Sequence, residues 1–208
     1  MKLKSLKVLT GLVFKTNAIA ALSLLLGQPL FGQGTFAFQN KTFGLDAPVF
    51  DFWGNRLSGS IYRAELYGGI TPETLQPARL LAPSTIFSTQ RVAAPFLEGN
   101  GAGYFIPNTA VWIWDVPDGA LAWLQVRAWD TRVGATYEDA LASGRGGFGE
   151  SPLFQGQSGC PNCAPPVSPS YLFGLQSFSL RAVVPEPSTW ALLALGGLSL
   201  WWHVRRRS

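Results

Sequence analysis

Short apolar and aromatic runs alternate with turn residues through the middle of the chain, a pattern typical of β-strands. In the sequence IYRAELY (residues 61–67), Tyr62, Ala64 and Leu66 alternate with two charged residues. Such alternation predicts an antiparallel strand with one buried face. Further runs predicted as strands lie at residues 36–38, 49–53, 78–82, 86–87, 104–106 and 171–184.

The best candidate for a hairpin lies in the second half of the chain. Residues 111–114 (VWIW) and 121–129 (LAWLQVRAW) are separated by DVPDGA, in which Asp118 and Gly119 supply turn residues. The alternation in the second run gives it one face of small and aliphatic side chains, starting at Ala122. We predict that this run is the central strand of the sheet.

Helical signals are short. Thr71 and Pro72 predict a single helical turn over residues 71–75, and residues 137–143 (YEDALAS) predict a short helix that ends at Gly144. Strands do not alternate with long helices, which argues against a parallel α/β sheet. The pattern predicts an all-β fold, an antiparallel β-sandwich with jelly-roll or immunoglobulin-like topology.

The last residues of the chain form a segment of three distinct parts. The first is the acidic, proline-flanked motif Pro185, Glu186 and Pro187; the last is a basic cluster of Arg205, Arg206 and Arg207. The two prolines stiffen the backbone around the Glu186 carboxylate, so a docking enzyme can bind it with little ordering cost.

An apolar run from Trp190 to Trp202 lies between these two parts, and its composition predicts a single transmembrane helix. Taken from Thr189 to Val204 the run has 16 residues. At ~1.5 Å per residue it is about 24 Å long, against a hydrocarbon core of ~30 Å, so it spans only if the bilayer thins locally. The arginines predict a cytoplasmic C-terminus, which places everything before Val184 outside the cytoplasm.

This arrangement of VPEPSTW, a short apolar helix and a closing arginine run resembles the PEP-CTERM sorting tail of exported bacterial proteins. The resemblance covers about an eighth of the chain. It implies that an exosortase, a membrane transpeptidase of bacteria that make extracellular polysaccharide, reads the motif at 185–187 and that the arginines stop transfer. The alternative is a plain tail anchor. More loosely, the segment QVRAWD followed by YEDALASG is similar to small β-sandwich proteins that carry this tail. This similarity supports the predicted fold and implies no activity.

The N-terminus has the pattern of a secretory signal, with lysines at 2, 4 and 7, an apolar stretch from 18 to 26, and small residues suited to cleavage before Thr35. The alternative is an uncleaved anchor. We therefore predict a signal peptide (a signal helix) over 1–34, an extracytoplasmic domain over 35–183 and a sorting tail over 184–208. The net charge of +4 comes from the two ends, because residues 35–184 hold nine basic and eleven acidic residues. A nucleic-acid partner gains no support.

Most catalytic arrangements are excluded by composition. The one histidine of the chain, His203, lies in the tail, so the predicted domain has no imidazole for a catalytic triad or a histidine-bearing zinc site. Cys160 and Cys163 form CPNC, which in an exported protein favours a local disulfide over a metal or redox site. We expect no cofactor and no metal.

Two further hypotheses remain. Glycoside hydrolysis needs a pair of carboxylates, but none of the candidates stands in a diagnostic context; they are Asp51, Glu65, Glu98, Asp130, Glu138 and Glu150. Exposed indoles can stack on sugars, and the candidates are Trp112, Trp114, Trp123 and Trp129, although core packing is the favoured interpretation for these rings. The sequence thus predicts an exported, non-enzymatic structural or adhesive protein. Its expected partners are an exosortase, membrane lipid at the tail and, as an alternative function, extracellular polysaccharide.

Overall fold

The computed structural model of the chain describes residues 33–81, 88–107 and 109–182. This part of the chain is all-β, as predicted, with short strands and very little helix. Its strands are β1 (Thr35–Ala37), β2 (Lys41–Thr42), β3 (Leu45–Asp46), β4 (Val49–Phe50), β5 (Gly59–Gly69), β6 (Gln76–Pro77), β7 (Arg79–Leu80), β8 (Ala94–Phe96), β9 (Ala110–Trp112), β10 (Leu121–Asp130), β11 (Phe148–Glu150), β12 (Phe154–Gln157), β13 (Ser170–Tyr171) and β14 (Phe178–Ser179). The described helices are α1 (Tyr137–Ala142) and two 3-10 turns, Pro72–Thr74 and Gly99–Gly101.

The larger sheet is built around β10, in agreement with the prediction that this strand is central. Its strand order is β11-β10-β5-β6, with β12 also paired to β10 and β8 to β5. Strands β5 and β10 are antiparallel, and their register runs from Trp123 opposite Gly69 to Asp130 opposite Tyr62. One face of β10 is fully buried, because alternate residues of a strand point to the same side of the sheet.

The second sheet has the order β13-β1-β9-β7. Strand β1 is antiparallel to β9 and parallel to β13. Phe36 and Val111 of this sheet lie in the same hydrophobic cluster as Leu66 and Leu124 of the larger sheet. Two small pairs, β14 with β4 in parallel and β2 with β3 in antiparallel, complete the described pairing.

The predicted hairpin between residues 111–114 and 121–129 was wrong. Strands β9 and β10 lie in different sheets, and β9 pairs with β1 and β7 instead. The backbone N–H of Ile113 donates to Gly34 (3.2 Å), and Asp115 then adopts a positive φ of 65°. The connecting residues 115–120 are long enough to cross between sheets that pack ~10 Å apart, so turn residues alone did not identify the strand partners.

Two other strand predictions also need correction. Residues 104–106 are not in a strand, although Tyr104 and Phe105 are buried, since the side-chain amide of Asn40 takes the place of a neighbouring strand. Its Oδ1 accepts from the N–H of Phe105 (2.8 Å) and its Nδ2 donates to Gly103 (2.9 Å). The predicted last strand is divided into β13 and β14, with Gly174 at a φ of 105° between them.

The predicted helical turns agree with the structure. The turn Pro72–Thr74 has Thr71 as its N-cap, and the Thr136 side chain caps α1 by accepting from the N–H of Asp139 (3.2 Å). The strand predicted at 86–87, the signal segment and the sorting tail lie outside the described residues. Among the described residues, no helix has the length and apolar character needed to cross a membrane.

Candidate functional site

The described residues end at Ala182, three residues before Pro185. Leu180 donates its N–H to Phe50 (2.8 Å), and Arg181 donates to Phe148 (2.8 Å) and accepts from Gly147 (3.0 Å). The chain is therefore held by backbone bonds almost up to the predicted sorting motif. The motif residues Pro185, Glu186 and Pro187, and the basic cluster of Arg205, Arg206 and Arg207, lie outside the described residues.

The last described residues define one end of the domain, which we call the exit end. Strands β4 and β14 are parallel, so β4 runs toward the same end and leads directly into the loop of residues 51–55. Gly147, which bonds Arg181, also accepts from the N–H of Asp130 at the end of β10 (2.8 Å). The 51–55 loop, the end of β10 and Arg181 thus lie together.

The 51–55 loop is organised by the Asp51 carboxylate. Its Oδ1 accepts from the N–H groups of Trp53 (2.9 Å) and Asn55 (2.8 Å), and its Oδ2 accepts from the Asn55 amide (3.0 Å). Gly54 supplies the positive φ of 85° that the turn requires. This bonded loop presents Phe52 and Trp53 to solvent, with exposed fractions of 57% and 77%. Sequence analysis placed both residues in a strand, because their exposure depends on the turn.

The four candidate stacking tryptophans fall into two classes. Trp112 and Trp129 are buried, and the Trp112 indole donates to the carbonyl of Leu80 (3.2 Å). Trp114, which follows β9, is 48% exposed, and Trp123 is partly exposed on the outer face of β10. Core packing therefore accounts for two of the four rings, and a sugar has access only to Trp114 and Trp123 among them.

Cys160 and Cys163 are joined by a disulfide with their Cα atoms 5.4 Å apart. The backbone of Cys160 anchors this loop. Its N–H donates to the carbonyl of Val167 (3.0 Å), and its carbonyl accepts from the N–H of Val167 (2.8 Å). Asn162 within the loop donates to Asp118 (3.2 Å). Among the described residues, no group of three or more His, Cys, Asp or Glu side chains is placed to hold a metal ion.

Two of the candidate carboxylates meet in a cluster that the sequence did not predict. On the outer face of the larger sheet, the Arg91 guanidinium binds both oxygens of Glu65, Nε to Oε1 at 2.7 Å and Nη2 to Oε2 at 2.6 Å. Nη2 also contacts the Tyr67 hydroxyl (2.6 Å) and Oε2 of Glu138 on α1 (3.1 Å). The Tyr67 hydroxyl donates to Oε1 of Glu138 (2.5 Å). We call Glu65, Tyr67, Arg91 and Glu138 the ionic cluster.

The electrostatics of the ionic cluster follow from its burial. Burial raises the pKa of the Glu65 carboxyl, and the hydrogen bonds and charge of Arg91 offset this only in part. Burial also opposes ionisation of Glu138, but hydrogen bonds from Tyr67 and its own backbone, and the Arg91 charge, outweigh it and lower the pKa of Glu138. The hydrogen bond to Glu65 raises the pKa of Arg91. Both carboxylates are therefore engaged by groups of the protein itself.

A second layer extends the ionic cluster under α1. The Arg127 guanidinium lies over the rings of Tyr67 (4.0 Å to the centroid) and Tyr137 (5.1 Å). The Tyr137 hydroxyl donates to Oε2 of Glu150 (3.1 Å), and Arg181 lies 3.6 Å from Oε1 of the same carboxylate. The predicted polar face of β5 is thus covered by α1 and the segment around Arg91, which is why Glu65 is only 1% exposed.

The other candidate carboxylates are used structurally or lie apart. Asp51 organises its loop, and Asp130 pairs with Arg132 (2.6 Å). Glu98 is the N-cap residue of the 3-10 turn Gly99–Gly101, and its side chain makes no capping hydrogen bond there. The ionic cluster holds two carboxylates close together, but Arg91 lies between them and binds both. This arrangement stabilises the packing of α1 on the sheet and offers no free acid and base pair.

Comparison with known proteins identifies the C-terminal segment. A family model described as the PEP-CTERM protein-sorting motif matches residues 183–207. The match begins two residues after Arg181, which is hydrogen-bonded into the domain. The comparisons found no similar curated protein and no similar solved structure.

Proposed function

We infer that this chain, which carries a PEP-CTERM sorting motif, is an exported exosortase substrate. From this premise we propose that it serves as a structural or adhesive component of the cell surface or extracellular matrix. The observation that carries the proposal is the position of the motif. Only residues 182–184 separate it from Arg181, whose backbone is hydrogen-bonded into the all-β domain, so the domain is the cargo that the tail sorts.

In this function the protein is a substrate and has no catalytic role of its own. Glu186 and its flanking prolines bind the exosortase, the apolar run from Trp190 to Trp202 holds the chain in the bilayer, and the three arginines stop transfer. The engagement of Glu65 and Glu138 by Arg91 supports the non-enzymatic interpretation. The two sheets, which contribute to one hydrophobic cluster, support a β-sandwich of jelly-roll or immunoglobulin-like topology.

Substitution of Glu186 tests the sorting mechanism. In a host that contains the processing enzyme, we expect Glu186→Ala to leave the fold intact and to block removal of the tail, so the intact mass stays larger than that of the mature wild type. Glu186→Gln separates charge from shape, since it keeps the side-chain length without the carboxylate. Glu73→Ala, a change at an exposed glutamate of the domain, is the matched control. A normally trimmed Glu186→Ala chain would contradict the mechanism.

Polysaccharide binding is the second candidate, and the exposure of Trp114 favours it. Its ring, which lies 5.8 Å from that of the buried Trp112, is held in place by a neighbour while one part of it faces solvent. A pull-down with the polysaccharides of the host, comparing the wild type with Trp114→Ala, tests this function. Equal retention of the two chains would exclude a role for this ring. Carboxylate-based glycoside hydrolysis is a remote third function, which an activity screen on the same polysaccharides tests.

A further inference from the structure

We propose that Phe52 and Trp53 form a second membrane contact, in which the 51–55 loop lies in the lipid interface while the domain is still joined to its tail. This proposal deepens the proposed function and rests on its claim that the tail enters the bilayer. The occupant is a lipid surface, which would contact the exit end of the domain.

The length of the connecting chain brings this end of the domain close to the bilayer. From Ala182 to Thr189, where the predicted membrane run begins, the chain advances seven residues. Fully extended, seven residues reach at most about 25 Å. Since the backbone of Arg181 is bonded on both sides, the domain cannot lengthen this connection without breaking its own hydrogen bonds.

The loop occupies the same end of the domain and has the chemistry of an interfacial anchor. Trp and Phe side chains are favoured at the boundary between headgroups and acyl chains. The Asp51 hydrogen bonds hold the loop in one conformation, so little ordering is required when the rings enter lipid. At the same end of the domain, Ile61 near the start of β5 is 41% exposed and accepts from the N–H of Thr131 (2.8 Å), which follows β10.

Charge does not carry this contact. Arg132 and Arg181, at the exit end, are paired with Asp130 and Glu150 respectively. Arg56, which follows the 51–55 loop, lies over the Tyr104 ring (5.2 Å to the centroid). The attraction to lipid is therefore apolar, and it should persist at high salt. A sugar is a poorer occupant, because the Phe52 and Trp53 rings meet edge to face at 78° and present no shared flat surface.

A second exposed aromatic group away from the exit end provides the control. Phe43, in the turn between β2 and β3, is fully exposed, and a Cβ at the adjacent Gly44 would lie 3.6 Å from the ring of Phe173. The nearby Gly174 packs on Phe154, which pairs with the start of β10 at Leu124. From this level to the exit end, β10 covers about 20 Å at ~3.3 Å per residue.

The experiment places an environment-sensitive fluorophore, NBD, at each end of the domain in the full chain. The native cysteines are paired, so Phe52→Cys, Trp53→Cys and the control Phe43→Cys each supply one reactive thiol. The labelled chains are reconstituted in vesicles of phosphatidylcholine and phosphatidylglycerol, some of which contain acyl-chain spin-labelled lipid as quencher. Circular dichroism verifies that each variant is folded. Two neighbouring label sites are used so that one misfolded variant leaves the test intact.

We expect the spin-labelled lipid to reduce NBD fluorescence at positions 52 and 53 but not at position 43. The loss should be the same at about 1 M salt, where the Debye length is only ~3 Å. Chains that stay with the vesicles through an alkaline wash, yet show no more quenching at 52 and 53 than at 43, would overturn the proposal. A response to soluble polysaccharide and not to lipid would overturn it too. Release of the chain by the wash would instead contradict the claim that the tail inserts in the bilayer, so a failure of the proposed function can be distinguished from a failure of this proposal.

Discussion

Replacement of Arg91 by methionine is expected to destabilise the fold more than any change to its carboxylate partners. The variant keeps most of the side-chain volume but removes the guanidinium that binds both oxygens of Glu65. Glu65 is 1% exposed, so its charge cannot regain water without local unfolding. Removing one partner of a buried ion pair costs about 3–5 kcal/mol, and we expect a loss of that size in the free energy of unfolding.

Glu65→Gln is the matched comparison. The glutamine keeps a hydrogen-bonding side chain of the same length, and Arg91, whose side chain is 36% exposed, retains its contacts with Glu138 (3.1 Å) and the Tyr67 hydroxyl (2.6 Å). The remaining loss is that of charge-assisted hydrogen bonds, about 1.5–3 kcal/mol. The double variant Glu65→Leu with Arg91→Met leaves no buried charge and should be more stable than Arg91→Met alone.

The dependence on pH gives a second measurement of the same effect. Without Arg91, the pKa of Glu65 in the folded state lies further above that of the unfolded chain, ~4.3. The folded variant then binds a proton more tightly than the unfolded chain, so its stability falls as pH rises through the folded pKa and recovers as pH falls toward the unfolded value. The deficit relative to the wild type should therefore be largest at neutral pH.

Urea unfolding of the full chain in a mild detergent, followed by circular dichroism and extrapolated to water, measures these differences. An Arg91→Met variant that loses no more stability than Glu65→Gln at neutral pH would refute the reasoning. So would a double variant that is no more stable than Arg91→Met. Either result would mean that Glu65 is solvated in solution and that the ionic cluster does not bury a charge.

Two more predictions concern the rest of the domain. Burial and the charge of Glu150 raise the pKa of Tyr137 to about 12 from 10.0. The pKa of Tyr67 is raised too. Because the folded state favours the protonated phenol, stability present below pH 10 should be lost as pH rises toward about 12. At ~1.36 kcal/mol per pH unit, the loss of stability for Tyr137 is up to roughly 2.7 kcal/mol. Alkaline unfolding curves of the wild type and of Tyr137→Phe, which lacks this titration, measure the loss. Identical curves for the two chains would contradict it. The sequence predicts cleavage before Thr35, but in the fold Gly34 donates its N–H to Val116 (2.7 Å). We therefore revise the expected start of the mature chain to Gly34 or an earlier residue; N-terminal sequencing that starts at Thr35 would contradict this revision.

The parts of the fold that sequence predicted are those governed by local pattern. The alternation in residues 61–67 predicted β5, and YEDALAS followed by Gly144 predicted α1, because each depends on neighbouring residues. The hairpin prediction failed because strand pairing is set by contacts between distant segments. Turn residues at 118–119 are equally compatible with a crossing between two sheets.

The ionic cluster and the 51–55 loop were beyond prediction for the same reason. Arg91 is 26 residues from Glu65 and Glu138 is 71 residues from Tyr67, so no spacing in the sequence relates them. The apolar character of Phe52 and Trp53 indicated a strand, whereas the hydrogen bonds of Asp51 turn both side chains outward. The sorting motif, in contrast, was recognisable because its three parts are contiguous in the chain.

Only three residues separate Arg181, whose backbone is hydrogen-bonded into the domain, from Pro185, so an enzyme that binds the motif works close to the folded domain. An enzyme that cuts at the motif has to work against the surface of a folded globule, and its own entrance must be shaped to admit that globule beside the bilayer. After a cut at the motif, the new carboxyl end follows Arg181 by only a few residues of chain. Any group coupled to that end would therefore be attached close to the domain surface, which restricts how the domain can be oriented relative to that group.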